Sequence, residues 1–129
     1  MKKVLFLFWM IAWVSCDQQH AHAQAKLAPN DFEAKLNNGG SIQLLDVRTP
    51  EEFRDGHLKG AININFYDDD FASRVAKLDK SKPVLVYCAK GGRSASAAEQ
   101  MSKSGFEQLI ELEGGIIAWK EAGKPVVTE

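Results

Sequence analysis

The sequence predicts an α/β protein in which helices cover a mostly parallel β-sheet. Strand-like apolar runs alternate with segments of helical periodicity along most of the chain, a pattern typical of such sheets. One run, Lys82–Cys88, is almost continuously apolar, as expected for a strand buried on both faces. The length of 129 residues suits one domain whose hydrophobic core does not depend on disulfides.

Charge and composition narrow the range of partners. The net charge is −1, which does not favour nucleic acid or a strongly acidic substrate. His20 and His22 lie in a polar, alanine-rich stretch. We interpret them as ordinary solvent-exposed residues of a tether and not as metal ligands. We therefore expect no metal, no cofactor and no nucleic acid, and we expect a monomer.

The first 16 residues have the layout of a secretory signal. Lys2 and Lys3 precede an apolar run over Val4–Val14, which matches a positive region followed by a short hydrophobic region. A membrane-spanning helix needs roughly 18 or more apolar residues, so this run is too short. We predict that residues 1–16 direct export, to the periplasm of a bacterium.

The cleavage site has two interpretations. The segment "WVSCD" resembles a bacterial lipoprotein box in which Cys16 would be acylated, although Trp13 stands where leucine is usual. In that case a lipid on Cys16 is the only expected membrane contact. Alternatively, "AHAQ" offers an Ala-x-Ala site with cleavage after Ala23. Residues 17–28 are polar and alanine-rich, so we predict a flexible tether before a domain over 29–129.

The first half of the domain begins with a predicted helix near Asn30. Asn30 as N-cap and Glu33 three residues later form a capping-box pattern, and the glycines at 39–40 end the helix. The apolar segment Ser41–Val47 predicts the next strand.

A second helix follows directly. Thr49 is its predicted cap, Pro50 lies in its first turn, and Glu52 stands at the third position. Residues 60–66 then predict a short strand, and apolar residues at helical spacing predict a helix over 68–79.

The second half repeats the alternation. After the strand at Lys82–Cys88 we predict a helix over 93–105, a strand within 107–115, and a last helix over 116–125. In parallel sheets, ligands bind beyond the carboxyl ends of the strands. Cys88 stands at that end of the strand that looks most central, so it is the first candidate for chemistry.

The residues after Cys88 predict a cup of hydrogen-bond donors around its sulfur. A loop that runs from a strand into a helix N-terminus points main-chain N–H groups inward, and Gly91 and Gly92 let it curl. The pKa of the thiol should then fall below its free value of ~8.5. The cup should also hold a sulfur-containing anion, with Arg93 as a planar fork and Lys90 as a point charge. A buried structural cysteine is the alternative.

Three motifs identify the chain as similar to the rhodanese family. "CAKGGRS", Cys88–Ser94, resembles that family's active-site loop, Cys-x-x-Gly-x-Arg-Ser/Thr. "LLDVRTPEEFRDGHLKGAINI", Leu44–Ile64, and "LEGGIIAW", Leu112–Trp119, resemble its other two marked segments, in the family's order. The resemblance covers nearly all of residues 29–125, and implies a single-domain, three-layer rhodanese-like fold with helices on both faces of the sheet.

The resemblance also implies roles. Cys88 matches the sulfur-accepting nucleophile, and Arg93 matches the arginine that braces the loop and faces the anion. The substrate-binding loop corresponds to Ala89, Lys90, Gly91, Gly92, Arg93 and Ser94. Supporting charged positions near or under the loop correspond to Asp46, Arg48 and His57. We do not favour His57 as a catalytic base, because a thiol whose pKa is already lowered needs none. Core positions are expected at Phe53, Ile62 and Trp119.

The implied reaction is sulfur transfer. Thiosulfate would give its outer sulfur to Cys88, and cyanide or a thiol would collect it from the persulfide. The six-residue span Cys88–Arg93 matches sulfurtransferases, whereas the related phosphatases and arsenate reductases carry one residue more. The alternative function is a persulfide carrier or protein-binding module with little activity on thiosulfate.

Overall fold

Five parallel strands form the central sheet of the domain. The computed structural model describes residues 23–38 and 40–129. Within them the strands are β1 (Ala23–Leu27), β2 (Gln43–Asp46), β3 (Ile62–Asn63), β4 (Val84–Tyr87) and β5 (Gln108–Leu112). Their order is β1-β5-β4-β2-β3, and every neighbouring pair is parallel.

Helices cover both faces of this sheet. They are α1 (Pro29–Asn37), α2 (Pro50–Asp55), α3 (Phe71–Val75), α4 (Gly92–Lys103) and α5 (Gly115–Glu121). One core cluster joins α3 and α4 to one face, and a second joins α1 and α5 to the other. Because both faces of the sheet are buried at β4, all four residues of this strand are apolar or aromatic and buried. The predicted three-layer α/β fold is confirmed.

The N-terminal boundary of the domain needs a correction. Ala23–Leu27 is not a tether but an edge strand, whose main chain pairs in register with Gln108–Leu112. Main-chain hydrogen bonds hold such a strand without an apolar period, and only Leu27 among its described side chains is half-buried against the core. The predicted signal and the tether over 17–22 lie outside the described residues, as does Gly39.

Of the two predicted helix N-caps, the one for α1 is wrong and the one for α2 is confirmed. Helix α1 begins at Pro29, one residue before the predicted cap Asn30, and its N-cap Ala28 makes no side-chain hydrogen bond. The chain leaves β1 immediately before, and proline suits the first helical position because its missing N–H would be unpaired there anyway. The capping box of α2 is confirmed, since Thr49 and Glu52 bond each other's main-chain N–H groups at 3.3 Å.

The core expectations hold at two of three positions. Phe53 and Trp119 are buried, whereas Ile62 is 48% exposed. Ile62 lies in the two-residue edge strand β3, where one side of the sheet has no neighbouring strand to cover it. Hydrophobic type alone does not predict burial at an edge.

The sheet order places Cys88 where ligands bind in open α/β sheets. From β2 the chain extends the sheet outward through β3, and from β4 it extends it in the opposite direction through β5. The carboxyl ends of β2 and β4 therefore flank the point where the order reverses. Cys88 follows the last residue of β4, the central strand, as predicted.

Candidate active site

The start of the loop is held rigidly by the beginning of α5. The N–H groups of Ile116 and Ile117 donate to the carbonyl oxygens of Cys88 and Ala89 at 2.9 and 3.2 Å. A Cβ atom at Gly115 would lie 2.3 Å from the Ala89 oxygen, and the φ of Gly115 is +63°. Only glycine fits there, which explains the second glycine of the Leu112–Trp119 motif.

The sulfur of Cys88 receives hydrogen bonds from the loop that follows it. The N–H of Gly91 donates to Sγ at 3.1 Å, and the thiol reaches the Ser94 hydroxyl at 3.5 Å. Burial opposes ionisation, but the Ser94 hydroxyl and the N–H groups of Ser94, Gly91 and Lys90 favour the thiolate. Their combined effect is larger, so the pKa of Cys88 is lowered, which confirms the predicted direction.

The loop passes into α4 through a conformation that needs glycine. Gly91 has φ 121° and occupies the N-cap, so α4 begins at Gly92, one residue before the predicted start. Ser94 is fully buried, and its hydroxyl donates to the Gly91 carbonyl at 3.1 Å. The tight turn keeps the N–H groups of the loop directed at the sulfur.

An open cavity of about 540 Å³ lies above the sulfur. Its lining consists of Phe66, Tyr67, Cys88, Ala89, Lys90, Gly92, Arg93 and Ser96. Lys90 and Gly92 are exposed at its edge, and the Tyr67 side chain is 67% exposed. Cys88 is thus buried in the protein and lines an open cavity on one side.

Arg93 braces the loop through an ion pair with Glu52. Its Nη1 and Nη2 atoms donate to the two carboxylate oxygens of Glu52 at 2.7 and 3.0 Å. This bidentate bond is the main cause that lowers the pKa of Glu52 to about 2. Arg93 therefore ties the start of α4 to α2. That its guanidinium also faces an anion stays a prediction. Its Cζ also lies 5.7 Å from the centre of the Tyr67 ring.

Asp46 and Arg48 form a buried pair that does not line the cavity. Nη2 of Arg48 lies 2.8 Å from the Asp46 carboxylate and 2.7 Å from the Gly56 carbonyl. Burial opposes the charge of Arg48, but the hydrogen bonds and charge of Asp46 outweigh it and raise the pKa of Arg48. The pair links the end of β2 to the turn after α2, which is a structural role.

His57 joins the C-terminal segment to the domain. Its ring stacks on Phe53 at 3.6 Å, and its Nδ1 lies 2.7 Å from the Phe53 carbonyl oxygen. Its main chain pairs with Val127, and its Nε2 lies 3.9 Å from the Glu129 carboxylate. His57 does not line the cavity above Cys88, which supports the preference against a catalytic base.

Two glutamates at the site received no chemical role from the sequence. The sequence indicates Glu52 only as a helix-capping and motif residue, because nothing in the chain order predicts that it contacts Arg93. Glu111 is buried on β5 and interacts with Ser94. Alternation along β5 was a usable signal for Glu111, because it shares a sheet face with the buried Leu109.

Within residues 23–38 and 40–129, no helix is long and apolar enough to cross a membrane. The same part of the chain holds no group of three or more histidine, cysteine, aspartate or glutamate side chains that could bind a metal ion.

Comparisons with known proteins agree with this geometry. The family described as rhodanese-like domain matches residues 28–122. The thiosulfate sulfurtransferase GlpE of Shewanella oneidensis is 33% identical over 88 residues, which cover 68% of this chain and 85% of the relative. A sulfurtransferase of Allochromatium vinosum is 31% identical over 72% of this chain and 85% of its own length.

A solved structure supports the same assignment. The rhodanese-related protein of Thermoplasma volcanium superimposes with a TM-score of 0.72 at 33% identity, covering 81% of this chain and 99% of that one. The matched family region contains the whole of the loop and all three motifs, and the observed sheet has the fold of these relatives. The chain belongs to the rhodanese-like domain family.

Proposed function

We propose that this protein is a sulfurtransferase that moves the outer sulfur of thiosulfate to cyanide or a thiol through a persulfide on Cys88. The observation that carries the proposal is the surroundings of the sulfur. Main-chain N–H groups and the Ser94 hydroxyl lower the pKa of Cys88 beneath an open cavity. A thiolate in such a place is both nucleophilic and accessible.

The reaction proceeds by two displacements. The Cys88 thiolate attacks the outer sulfur of thiosulfate, a sulfur–sulfur bond forms, and sulfite leaves with the electron pair of the bond that breaks. The acceptor then attacks the terminal sulfur of the persulfide, and the Cys88 thiolate leaves with its electron pair. The N–H groups that face Sγ are already placed to stabilise the negative charge in each state.

The remaining loop residues position this sulfur. Gly115 and the start of α5 hold the carbonyl side of Cys88, while Arg93 and Glu52 hold the beginning of α4. Lys90 is exposed at the edge of the cavity and offers the approaching anion a positive charge.

The test is thiosulfate:cyanide turnover by the purified protein, with Cys88→Ser as the matched control. We expect turnover in the wild type and none in the variant. Intact mass after treatment with thiosulfate should show one added sulfur atom on the wild type only. Equal turnover rates for both proteins would refute the proposal.

The second candidate is a persulfide carrier that exchanges sulfur with another protein. The exposed Tyr67 and Lys90 beside the cavity favour it, because a protein acceptor could approach the sulfur there. Slow turnover on thiosulfate combined with complete loading of Cys88 from a persulfide donor would support the carrier over the thiosulfate enzyme.

Export and the processed N-terminus belong to the same proposal. A cut after Ala23 would remove the first residue of β1, whose partner in the register is Gln108. A cut before Cys16 keeps the strand whole, and therefore we favour a lipidated Cys16 in the periplasm. Intact mass of the membrane-extracted protein distinguishes a lipidated Cys16 from a Gln24 terminus, and sedimentation tests the expected monomer.

A further inference from the structure

A tight turn carries Tyr67 to the active-site cavity. The N–H of Asp68 donates to the Asn65 carbonyl at 3.1 Å, and the N–H of Tyr67 donates to the Asn65 side-chain oxygen at 3.1 Å. The N–H of Phe66 donates to the Val47 carbonyl, just after β2, at 3.0 Å. These bonds fix the turn to the sheet and do not involve the Tyr67 side chain, so replacing that side chain leaves the turn in place.

The ring of Tyr67 is held in place but left largely uncovered. Its centre lies 5.7 Å from Cζ of Arg93 and 5.9 Å from the ring centre of Phe66, which packs partly buried against the core. Tyr67 nevertheless remains 67% exposed. A single exposed aromatic residue needs no explanation on its own. This one, however, lines the same cavity as Cys88, where a bound molecule would cover it.

The cavity is larger than the two small ions of the proposed reaction need. Its volume is about 540 Å³, within the range of roughly 300 to 1,000 Å³ that is typical of sites for drug-sized organic ligands. Thiosulfate and cyanide fill only a small part of such a space. Because the acceptor must collect its sulfur from Cys88 in this cavity, a larger acceptor would use the remaining volume.

The residues that line the cavity indicate what kind of thiol would fit. The aromatic rings of Phe66 and Tyr67 favour an apolar body, and above all another ring. The guanidinium of Arg93 is paired with Glu52, whereas Lys90 is exposed at the edge of the cavity. An exposed ammonium group favours a carboxylate or another anionic group. The complementary acceptor is therefore an organic thiol that carries both an apolar ring and a negative charge.

We propose that Tyr67 is a specificity-determining residue whose ring packs on the apolar body of an anionic organic thiol, the acceptor of the sulfur carried by Cys88. The acceptor thiolate attacks the terminal sulfur of the Cys88 persulfide and forms a new sulfur–sulfur bond with it. The bond between that sulfur and Sγ breaks, and its electron pair stays on Sγ as the Cys88 thiolate. The products are an organic persulfide and the free enzyme. The role of Tyr67 rests on the proposed function in taking Cys88 as the sulfur carrier.

The contact with Tyr67 belongs to the second displacement. Thiosulfate loads Cys88 and sulfite departs before the acceptor enters, so the two substrates occupy the cavity in turn. A small acceptor without a ring reaches the persulfide but gains no packing energy from Tyr67. The expected signature is therefore a changed preference between two acceptors, which a general loss of activity would not produce.

The test is the discharge of preloaded Cys88 by para-mercaptobenzoate and by mercaptoacetate, followed by intact mass. Both thiols carry a carboxylate, and only the first carries a ring. The full chain carries Cys16→Ser, so that Cys88 is its only thiol. In Tyr67→Ala, the ratio of the two second-order rate constants, ring thiol over ringless thiol, should fall by about tenfold from its wild-type value. Comparison with the wild-type ratio cancels the intrinsic reactivity of each thiol.

Two further variants control this measurement. Tyr67→Phe keeps the ring and should keep the wild-type ratio. Ile62→Ala should also keep it, because Ile62 is another large hydrophobic residue, 48% exposed, that does not line the cavity. If Tyr67→Ala left the ratio unchanged, the ring would not select the acceptor and the proposal would be overturned. An equal fall in both rate constants would instead assign Tyr67 to the support of Arg93.

The acceptor preference and the thiosulfate activity can fail separately. Cys88 is loaded with thiosulfate or, where thiosulfate adds no sulfur, with glutathione persulfide. The expected fall in the ratio after loading by glutathione persulfide alone would retain the role of Tyr67 and remove thiosulfate as the donor. Normal thiosulfate turnover with an unchanged ratio would leave the proposed function standing and remove the role of Tyr67. Absence of loading from either donor would overturn both.

Discussion

The two ends of the active-site loop differ in how firmly they are held. At the start, the carbonyl groups of Cys88 and Ala89 are bonded by α5, and a Cβ at Gly115 would collide with them. At the outer edge, Lys90 is exposed, and a Cβ at Gly92 would meet no heavy atom within 4 Å. The difference separates two needs of sulfur transfer, a fixed sulfur and an open approach to it.

The two ion pairs near the loop also differ, in their burial and in whether they line the cavity. The Asp46–Arg48 pair is buried, with side-chain exposures of 0% and 5%, and does not line the cavity. Glu52–Arg93 is partly buried, with side-chain exposures of 34% and 18%, and its arginine lines the cavity. We therefore expect the first pair to act on stability alone, and the second on stability and on placement of the loop.

Gly115→Ala should have the largest effect. Its Cβ would lie 2.3 Å from the Ala89 oxygen at a φ of +63°. Overpacking and backbone strain, at about 1 to 3 kcal/mol each, should together lower the free energy of unfolding by up to about 6 kcal/mol. Urea denaturation measures this loss. Gly92→Ala is the matched control and should remain within about 1 kcal/mol of the wild type. Equal losses in both variants would contradict the difference in packing between the start of the loop and its outer edge.

Asp46→Asn should come next. The amide would place a donor against Arg48, whose charge is buried and bonded to both Asp46 oxygens. Breaking a buried pair in this way costs about 3 to 5 kcal/mol. Where the variant still folds at low temperature, its alkylation rate at Cys88 should equal that of the wild type. A stable protein with a slowed thiol would show that this pair serves the site instead.

Glu52→Gln should lower stability less, by about 1 to 2 kcal/mol, because solvent screens the pair and glutamine retains part of the cap. The hydrogen bonds from Arg93 lower the pKa of Glu52 from its ordinary value of 4.5 to about 2. Its stabilisation is therefore fully present above pH 4.5 and is lost as the pH falls towards 2. The variant should show a flatter acid-unfolding curve across that window.

The same variant frees Arg93 and loosens the start of α4. We expect a fall in kcat/KM for thiosulfate of up to about tenfold, which corresponds to ~1.4 kcal/mol of lost loop placement. Arg54→Gln, an exposed change on the same helix, is the control. If Glu52→Gln matched this control in both stability and turnover, Arg93 would not brace the loop.

Much of the fold and the centre of the site could be predicted because their signals are local. The apolar run before Cys88, the glycines after it, and the capping box at Thr49 each depend on residues within a few positions. Local periodicity and turn chemistry therefore located β4, the loop and α2.

The parts that could not be predicted depend on contacts between distant segments. Strand β1 is held by main-chain pairing with β5, which leaves little trace in its side chains. Arg93 contacts Glu52, which lies 41 residues earlier in the sequence. The sequence does not distinguish an arginine whose guanidinium is paired with a carboxylate from one that is unpaired. Burial of Glu111 likewise depends on which face α4 covers.

Lys90→Ala should have the smallest effect, because it changes only an exposed side chain at the outer edge of the active-site loop. The side chain is exposed, and the main-chain N–H of residue 90, which the substitution keeps, is what contributes to the sulfur. An exposed charge contributes about 0.4 to 1 kcal/mol, so KM for thiosulfate should rise by about two- to fivefold. Persulfide lifetime, followed by intact mass, should not change.

The control is Lys77→Ala, which changes an exposed lysine outside the cavity lining and should leave both KM and persulfide lifetime unchanged. A shorter persulfide lifetime in Lys90→Ala would mean that the open edge also holds the loaded sulfur, and that the division between the two ends of the loop is wrong.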